Sequence, residues 1–215
     1  MGRSGTITSS GGNVSVTGRG GQSGSAQNYG VVLYAGSPGG TVITAGGTGT
    51  VTVVGDGGDS SGNFNYGVYV TGSGSKITSS DGAVDVTGIG GSGSGDFNHG
   101  LLVDPAAQIT SGGSGTVNVT GTGGSGSGSA NFGVLVYGGS ISSGGNGMVT
   151  VLGTGGSGSG AANLGVNVVV SGLITSGGGN VLVTGHGGGA AGSGIDNTGV
   201  RLNDTGVITS GGSGT

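Results

Sequence analysis

The side chains able to act as acid, base, metal ligand or nucleophile are few: eight aspartates, two histidines and many serines, with no Cys and no Glu. Cleaving a glycosidic bond needs two carboxylates flanking it, and in a repetitive chain such a pair must come from neighbouring copies or from one loop. Asp81 and Asp85 share a copy, but the positions equivalent to Asp85 in the adjacent copies are Thr52 and Asn118, so no carboxylate pair forms in that column. Asp56 and Asp59 lie in a Gly-rich tract opposite Arg19 and Ile89 of the neighbouring copies and read as solvated loop acids. Gly55-Asp-Gly-Gly-Asp59 has the outline of a calcium-binding β-roll turn, but it occurs once. That chemistry needs Asp ligands in every turn.

His99 and His186 fall in different structural columns three copies apart and do not share a metal. His99 reads as a semi-buried member of an aromatic column. Serine is abundant, yet no His and acid are placed to activate it. The Gly-x-Gly-Gly strings lack the strand-to-helix setting of a phosphate cradle. The expectation is therefore no catalytic residue, no cofactor and no metal site.

What positions these residues is a repeat. Ile recurs at 7, 43, 77, 109, 141, 174 and 208, each opening an Ile-Thr-Ser or close variant, at intervals of 36, 34, 32, 32, 33 and 34 residues. A fixed period of this size marks a stacked array. With 64 Gly and 31% hydrophobic residues in 215, a conventional globule is disfavoured. Disorder is the competing reading of so much Gly, but a solvated linker has no reason to keep short Val, Ile and Leu runs in phase.

Three runs recur in each copy. The first is Ile109-Thr-Ser and its equivalents. The second is Val117-Asn-Val119-Thr-Gly, matched at Val14-Ser-Val16, Val51-Thr-Val53, Val84-Asp-Val86, Val149-Thr-Val151 and Val181-Leu-Val183. The third is Asn131-Phe-Gly-Val134-Leu-Val136 and its equivalents. Alternation with period two and β-branched residues predict strands, and no helical period survives. The simplest fold is an all-β parallel solenoid (β-helix) of about six coils, roughly 33 residues and three short strands each. An antiparallel sandwich fits the identical strand triplets less well. Residues 1–6 read as an expression-derived start or a partial coil, 7–207 as the six-coil solenoid and 208–215 as part of a seventh coil.

Stacking places like residues in columns. Asn28, Asn65, Asn98, Asn131, Asn163 and Asn197 are expected to form a structural amide ladder at a corner, and Thr8, Thr44, Thr78, Thr110, Ser142 and Thr175 a hydroxyl counterpart. Parity points the residue after each Asn (Tyr29, Tyr66, His99, Phe132, Leu164, Thr198) inward, and Val32, Tyr69, Leu102, Leu135, Asn167 and Arg201 outward. From the second Val to the Asn there are 12 residues in five copies and 14 in the sixth. That near-constant length predicts a Gly/Ser tract that follows the coil wall or a fixed arch.

Charge is sparse, with four basic residues and a formal net charge of −4. No basic stripe is present to neutralise phosphates or dock on an anionic membrane, so nucleic acid is not an expected partner. No run approaches the length of a membrane span, and membrane insertion is not expected. The column Ser15, Thr52, Asp85, Asn118, Thr150, Leu182 is too mixed for the regular Thr ranks of an ice-binding face.

The Ile-Thr-Ser, Val-x-Val-Thr-Gly-x-Gly-Gly and Asn-x-Gly-Val-x-Val elements together resemble the β-strand repeat arrays of large bacterial surface and secreted proteins, including haemagglutinin-like and autotransporter-type adhesins. The resemblance covers nearly the whole chain through generic motifs. It implies an extracellular or cell-surface setting and a structural or adhesive, non-catalytic role, with a cell-surface or glycan ligand left open. A self-assembling extracellular filament, joined end to end through open β-edges, is the alternative. The expected partner is therefore the chain itself or neighbouring repeats of a longer one.

Overall fold

Each copy closes one coil from three parallel strands. The structure, a computed structural model, describes residues 4–22, 24–36, 39–189 and 194–215. In chain order the strands are β1 (Thr6–Ser9), β2 (Val14–Arg19) and β3 (Val31–Tyr34) in the first coil, then β4 (Val42–Ala45), β5 (Val51–Asp56) and β6 (Val68–Thr71) in the second. The third and fourth coils hold β7 (Lys76–Ser79), β8 (Val84–Ile89), β9 (Leu101–Val103), β10 (Gln108–Ser111), β11 (Val117–Thr122) and β12 (Val134–Tyr137). The fifth and sixth hold β13 (Ser140–Ser143), β14 (Val149–Thr154), β15 (Val166–Val169), β16 (Leu173–Ser176), β17 (Val181–His186) and β18 (Val200–Leu202), and β19 (Val207–Ser210) follows.

Like strands pair with like strands, in parallel and without a register slip, to give one seven-stranded and two six-stranded sheets. Ile109 thus lies between Ile77 and Ile141, and Val119 between Val86 and Val151. The parallel β-solenoid expected from the period is the fold observed. At about 4.8 Å per strand the six coils rise about 29 Å.

The interior holds Ile43, Ile77, Ile109, Ile141 and Ile174 of the first sheet, both Val of each second-sheet pair and alternate residues of the third, such as Val134 and Val136. Side chains of one shape stack on themselves, so the core packs by repetition and each copy needs only a handful of apolar residues. Where the first sheet turns into the second, Ser79, Ser111 and Ser143 are buried. Their hydroxyls bond turn carbonyls: Ser79 Oγ donates to Gly49 O at 2.7 Å and Ser111 Oγ to Gly82 O at 3.2 Å.

Two sequence expectations are corrected here. The residues after each Asn are not inside the coil. Tyr66, Phe132 and Leu164 form a second apolar cluster with Leu102, Leu135 and Val169, separate from the main core and on the outer side of the third sheet. The residues expected to face outward do leave the core, but Leu102, Leu135 and Asn167 are buried beneath this cluster. The parity argument failed because the strand begins only at Val134. Before it the residue preceding each Asn turns the chain through a left-handed conformation, as Ala130 does at φ 56°. The hydroxyl column of the first sheet is the second correction. Among the described residues only Ser142 Oγ to Thr110 Oγ1 (3.0 Å) links coils in this column, while the Thr hydroxyls point at the next carbonyl of their own strand.

Candidate functional site

The Gly/Ser tract between the second and third strands is an arch, and glycine pairs hold its neck shut. In all six coils the Gly of Val-Thr-Gly or its variant faces the Gly of Asn-x-Gly across the neck. A Cβ on Gly121 would lie 2.1 Å from Gly133 O, and the corresponding distances at Gly18, Gly55, Gly88, Gly153 and Gly185 are 2.0–2.1 Å. Two residues on, a Cβ at Gly123 would meet Asn131 O at 2.1 Å. Strand alternation puts both glycines on the face that meets the returning limb. The spacing Gly-x-Gly-Gly is therefore a backbone-to-backbone contact written in sequence, and its third Gly serves stacking. Gly124 N–H donates to Asn98 O of the preceding coil at 2.7 Å, and a Cβ there would lie 2.2 Å from Gly91 O.

Inside the arch stand the six asparagines of the predicted ladder. Asn65, Asn98, Asn131 and Asn163 have no exposed surface. The link between coils runs mainly from backbone to side chain. The N–H of each Asn donates to Oδ1 of the Asn above, at 3.0, 2.9, 2.7, 3.0 and 2.8 Å from Asn28 to Asn163. Each Nδ2 turns back into its own arch and donates to the carbonyl three residues earlier. For Asn98 that is Gly95 O at 2.7 Å, for Asn131 Gly128 O at 2.8 Å, and for Asn197 Gly194 O at 3.3 Å. Direct amide-to-amide bonds, at 3.1 Å, join Asn28 to Asn65 and Asn65 to Asn98. One amide thus fixes both the shape of its arch and the register to the next coil, which explains why Asn, with donor and acceptor on one short side chain, recurs there.

Outside the arch, against the third sheet, runs the aromatic column. Tyr29, Tyr66, His99 and Phe132 stack with ring centroids 5.4, 5.1 and 4.7 Å apart, the period of the strands beneath them. His99 is fully buried here, beyond the semi-buried place expected of it, and burial pushes its pKa down to about 3. Its Nδ1 accepts the Phe132 N–H at 3.2 Å, an acceptor role only the neutral ring can fill. A second, shorter column lies beside it, with Phe64 and Phe97 stacked at 5.4 Å. Tyr69 donates its hydroxyl to Asp104, and burial followed by that bond pushes the phenol up to about 12.

The remaining polar residues lie apart. Arg19 bridges Asp56 at 3.4 Å and Asp59 at 3.2 Å, in the register read from the sequence. These are exposed pairs of small energetic weight. Hydrogen bonds from Ser92, and then the Arg19 charge, hold the Asp59 carboxyl below its ordinary value. Asp85 accepts from Asn118 Nδ2 at 2.7 Å. His186 is in register with Thr154, in a column remote from His99. Among the described residues no group of three or more His, Asp or Glu is placed to hold a metal ion, and no helix is long and apolar enough to cross a membrane.

The fold and this site define a class: a parallel β-solenoid repeat protein with a stacked, glycine-necked arch on each coil. Comparison of the chain with protein-family models, with curated proteins and with solved structures gave no match.

Proposed function

We propose that this chain is a structural or adhesive shaft segment of a large extracellular or cell-surface protein, without catalysis of its own. The observation that carries the reading is the distribution of polar groups. The asparagine amides recur in all six coils and bond one coil to the next, whereas the carboxylates do not recur from coil to coil, and Asp56 and Asp59, which stand together, are both bridged by Arg19. A shaft needs the first property and an active site would need the opposite. The likeness of the motifs to bacterial surface arrays supports the extracellular setting.

A second reading, end-to-end assembly into a filament, is favoured by the two ends of the stack. At the first coil an open cavity of about 490 Å³ is lined by Ile7, Val31 and Leu33 among others, with Ile7 48% and Val32 45% exposed. At the sixth, Leu202 and Val207 are exposed to a similar degree. These edges carry strands of the register that the interior coils pair, so further coils or a second copy fit them equally. Electron microscopy across a concentration range tests both. Short rods of fixed length at every concentration support the shaft and count against the filament. Filaments whose length grows with concentration support assembly. Isodiametric particles at all concentrations, together with product release from a polysaccharide panel, would overturn both.

A further inference from the structure

The first sheet has one strand more than the other two. It runs from β1 to β19, while the second sheet is edged by β2 and β17 and the third by β3 and β18. The stack is therefore six coils and one strand: the register matches at its two ends, but the strand count does not. When a second copy continues the stack with its β2 on β17 and its β3 on β18, its β1 falls on the place that β19 already fills. When β1 and β19 both stay and pair with each other, a rung of about 4.8 Å is missing from each of the other two sheets. All three edges close only if one of these two strands leaves.

Their surroundings decide which. The segment Val207–Thr215 already follows the course of residues 42–50. Val181 N–H donates to Thr215 O at 2.7 Å and Thr215 N–H to Asn180 Oδ1 at 3.1 Å, just as Val14 N–H donates to Thr50 O at 2.8 Å and Thr50 N–H to Asn13 Oδ1 at 3.0 Å. Ile208 packs against the main core. β1 is seated less deeply. Thr6, Ile7 and Thr8 are all exposed, Ile7 by 48%, and Thr6 stands in the column that holds Val42 and Val207. The turn behind β1 contains Gly11 at φ 120° and Gly12, where an added Cβ would meet no atom within 4 Å. Such a pair can serve as a hinge.

We propose that copies of this chain join head to tail by strand exchange: β19 of one copy replaces β1 on β4 of the next, and the released β1 swings out on Gly11 and Gly12. Ile208 then lies on Ile43, Val183 on Val16 and Leu202 on Leu33, and the opening of about 490 Å³ lined by Val16, Leu33 and Ile43 is closed. One strand is traded for its equivalent, while the β17–β2 and β18–β3 ladders are gained outright and two open edges disappear. The joint is heterologous and does not close on itself, so it propagates. This inference rests on the filament reading and adds to it the mating surface and the strand that moves.

The test is disulfide trapping, since the chain has no Cys of its own. Three double variants place Cys at outward positions of the first sheet. Thr44→Cys with Thr209→Cys reports β19 on β4. Thr8→Cys with Thr175→Cys reports the opposite exchange, in which β19 leaves, and Thr8→Cys with Thr209→Cys reports a joint without exchange. Within one copy the members of each pair lie five or six strands apart, about 24 Å or more and beyond disulfide reach, whereas across the reported joint they stand on adjacent strands. Each variant is oxidised across a concentration range and run on a denaturing, non-reducing gel, with electron microscopy of the same samples. The Thr44/Thr209 pair should give a ladder of covalent multimers at least tenfold stronger than either other pair. Filaments without that ladder, or with an equal or stronger one from another pair, would overturn the exchange and leave end-to-end assembly standing. The absence of both filaments and ladders at every concentration would overturn the assembly reading and the exchange with it.

Discussion

His99 occupies the middle of an aromatic stack, between Tyr66 and Phe132, with its Nδ1 held by the Phe132 N–H. Protonation would desolvate a charge inside the cluster and replace that acceptor with a donor, so the folded chain holds the ring neutral down to about pH 3. In the unfolded chain a histidine titrates near 6.5. Between these values the unfolded state binds more protons, so stability is full above about pH 6.5 and falls as the pH drops toward 3. Each pH unit within the window is worth about 1.4 kcal/mol. A descent from pH 7 to pH 5 therefore removes about 2 kcal/mol, before the carboxylates begin to titrate. The assay is urea unfolding followed by far-ultraviolet circular dichroism at both pH values, for the natural chain and for His99→Phe, which puts a second Phe beneath Phe132. The natural chain loses about 2 kcal/mol more than the variant. Equal losses in the two proteins, or a natural chain as stable at pH 5 as at pH 7, would show that His99 is not buried in this stack.

Other consequences are as sharp. Gly121→Ala forces a methyl group to within 2.1 Å of Gly133 O at a neck pinned by the coils on either side. It should cost more than about 4 kcal/mol or abolish folding. Gly145→Ala, exposed and 3.6 Å from its nearest atom, should change the denaturation midpoint little. Asn131→Ala leaves the Asn98 N–H and the Gly128 carbonyl without partners in a buried arch and should destabilise by about 3 kcal/mol in the same assay. Ser75 is fully buried with its hydroxyl unbonded, and the next coil has Ala107 at that position. Ser75→Ala should therefore raise stability by about 1 kcal/mol on thermal or urea unfolding.

The period and the parity of the three runs exposed the coil, its strands and its core, because each Val-x-Val pair repeats with identical spacing. The asparagine column was legible for the same reason, since one residue type returns at one offset. Its bonding was not. That the backbone N–H reaches Oδ1 of the next coil, while Nδ2 turns inward, depends on the arch closing over it. The side on which Tyr66 and Phe132 pack was misread because strand parity does not extend through residues such as Ala130 at positive φ. Glycine was read only as part of a tract of near-constant length. Its sharper role, the contact of Gly121 with Gly133, joins positions twelve residues apart and shows only when both limbs of the arch are in place.

The central claim is that this stack supplies length. Fusions of one, two and three tandem copies, displayed between a membrane anchor and a fluorescent tip, measure it directly through the height of the tip above the surface. The account predicts equal increments of about 29 Å per six-coil copy. A height that does not grow with copy number would contradict it.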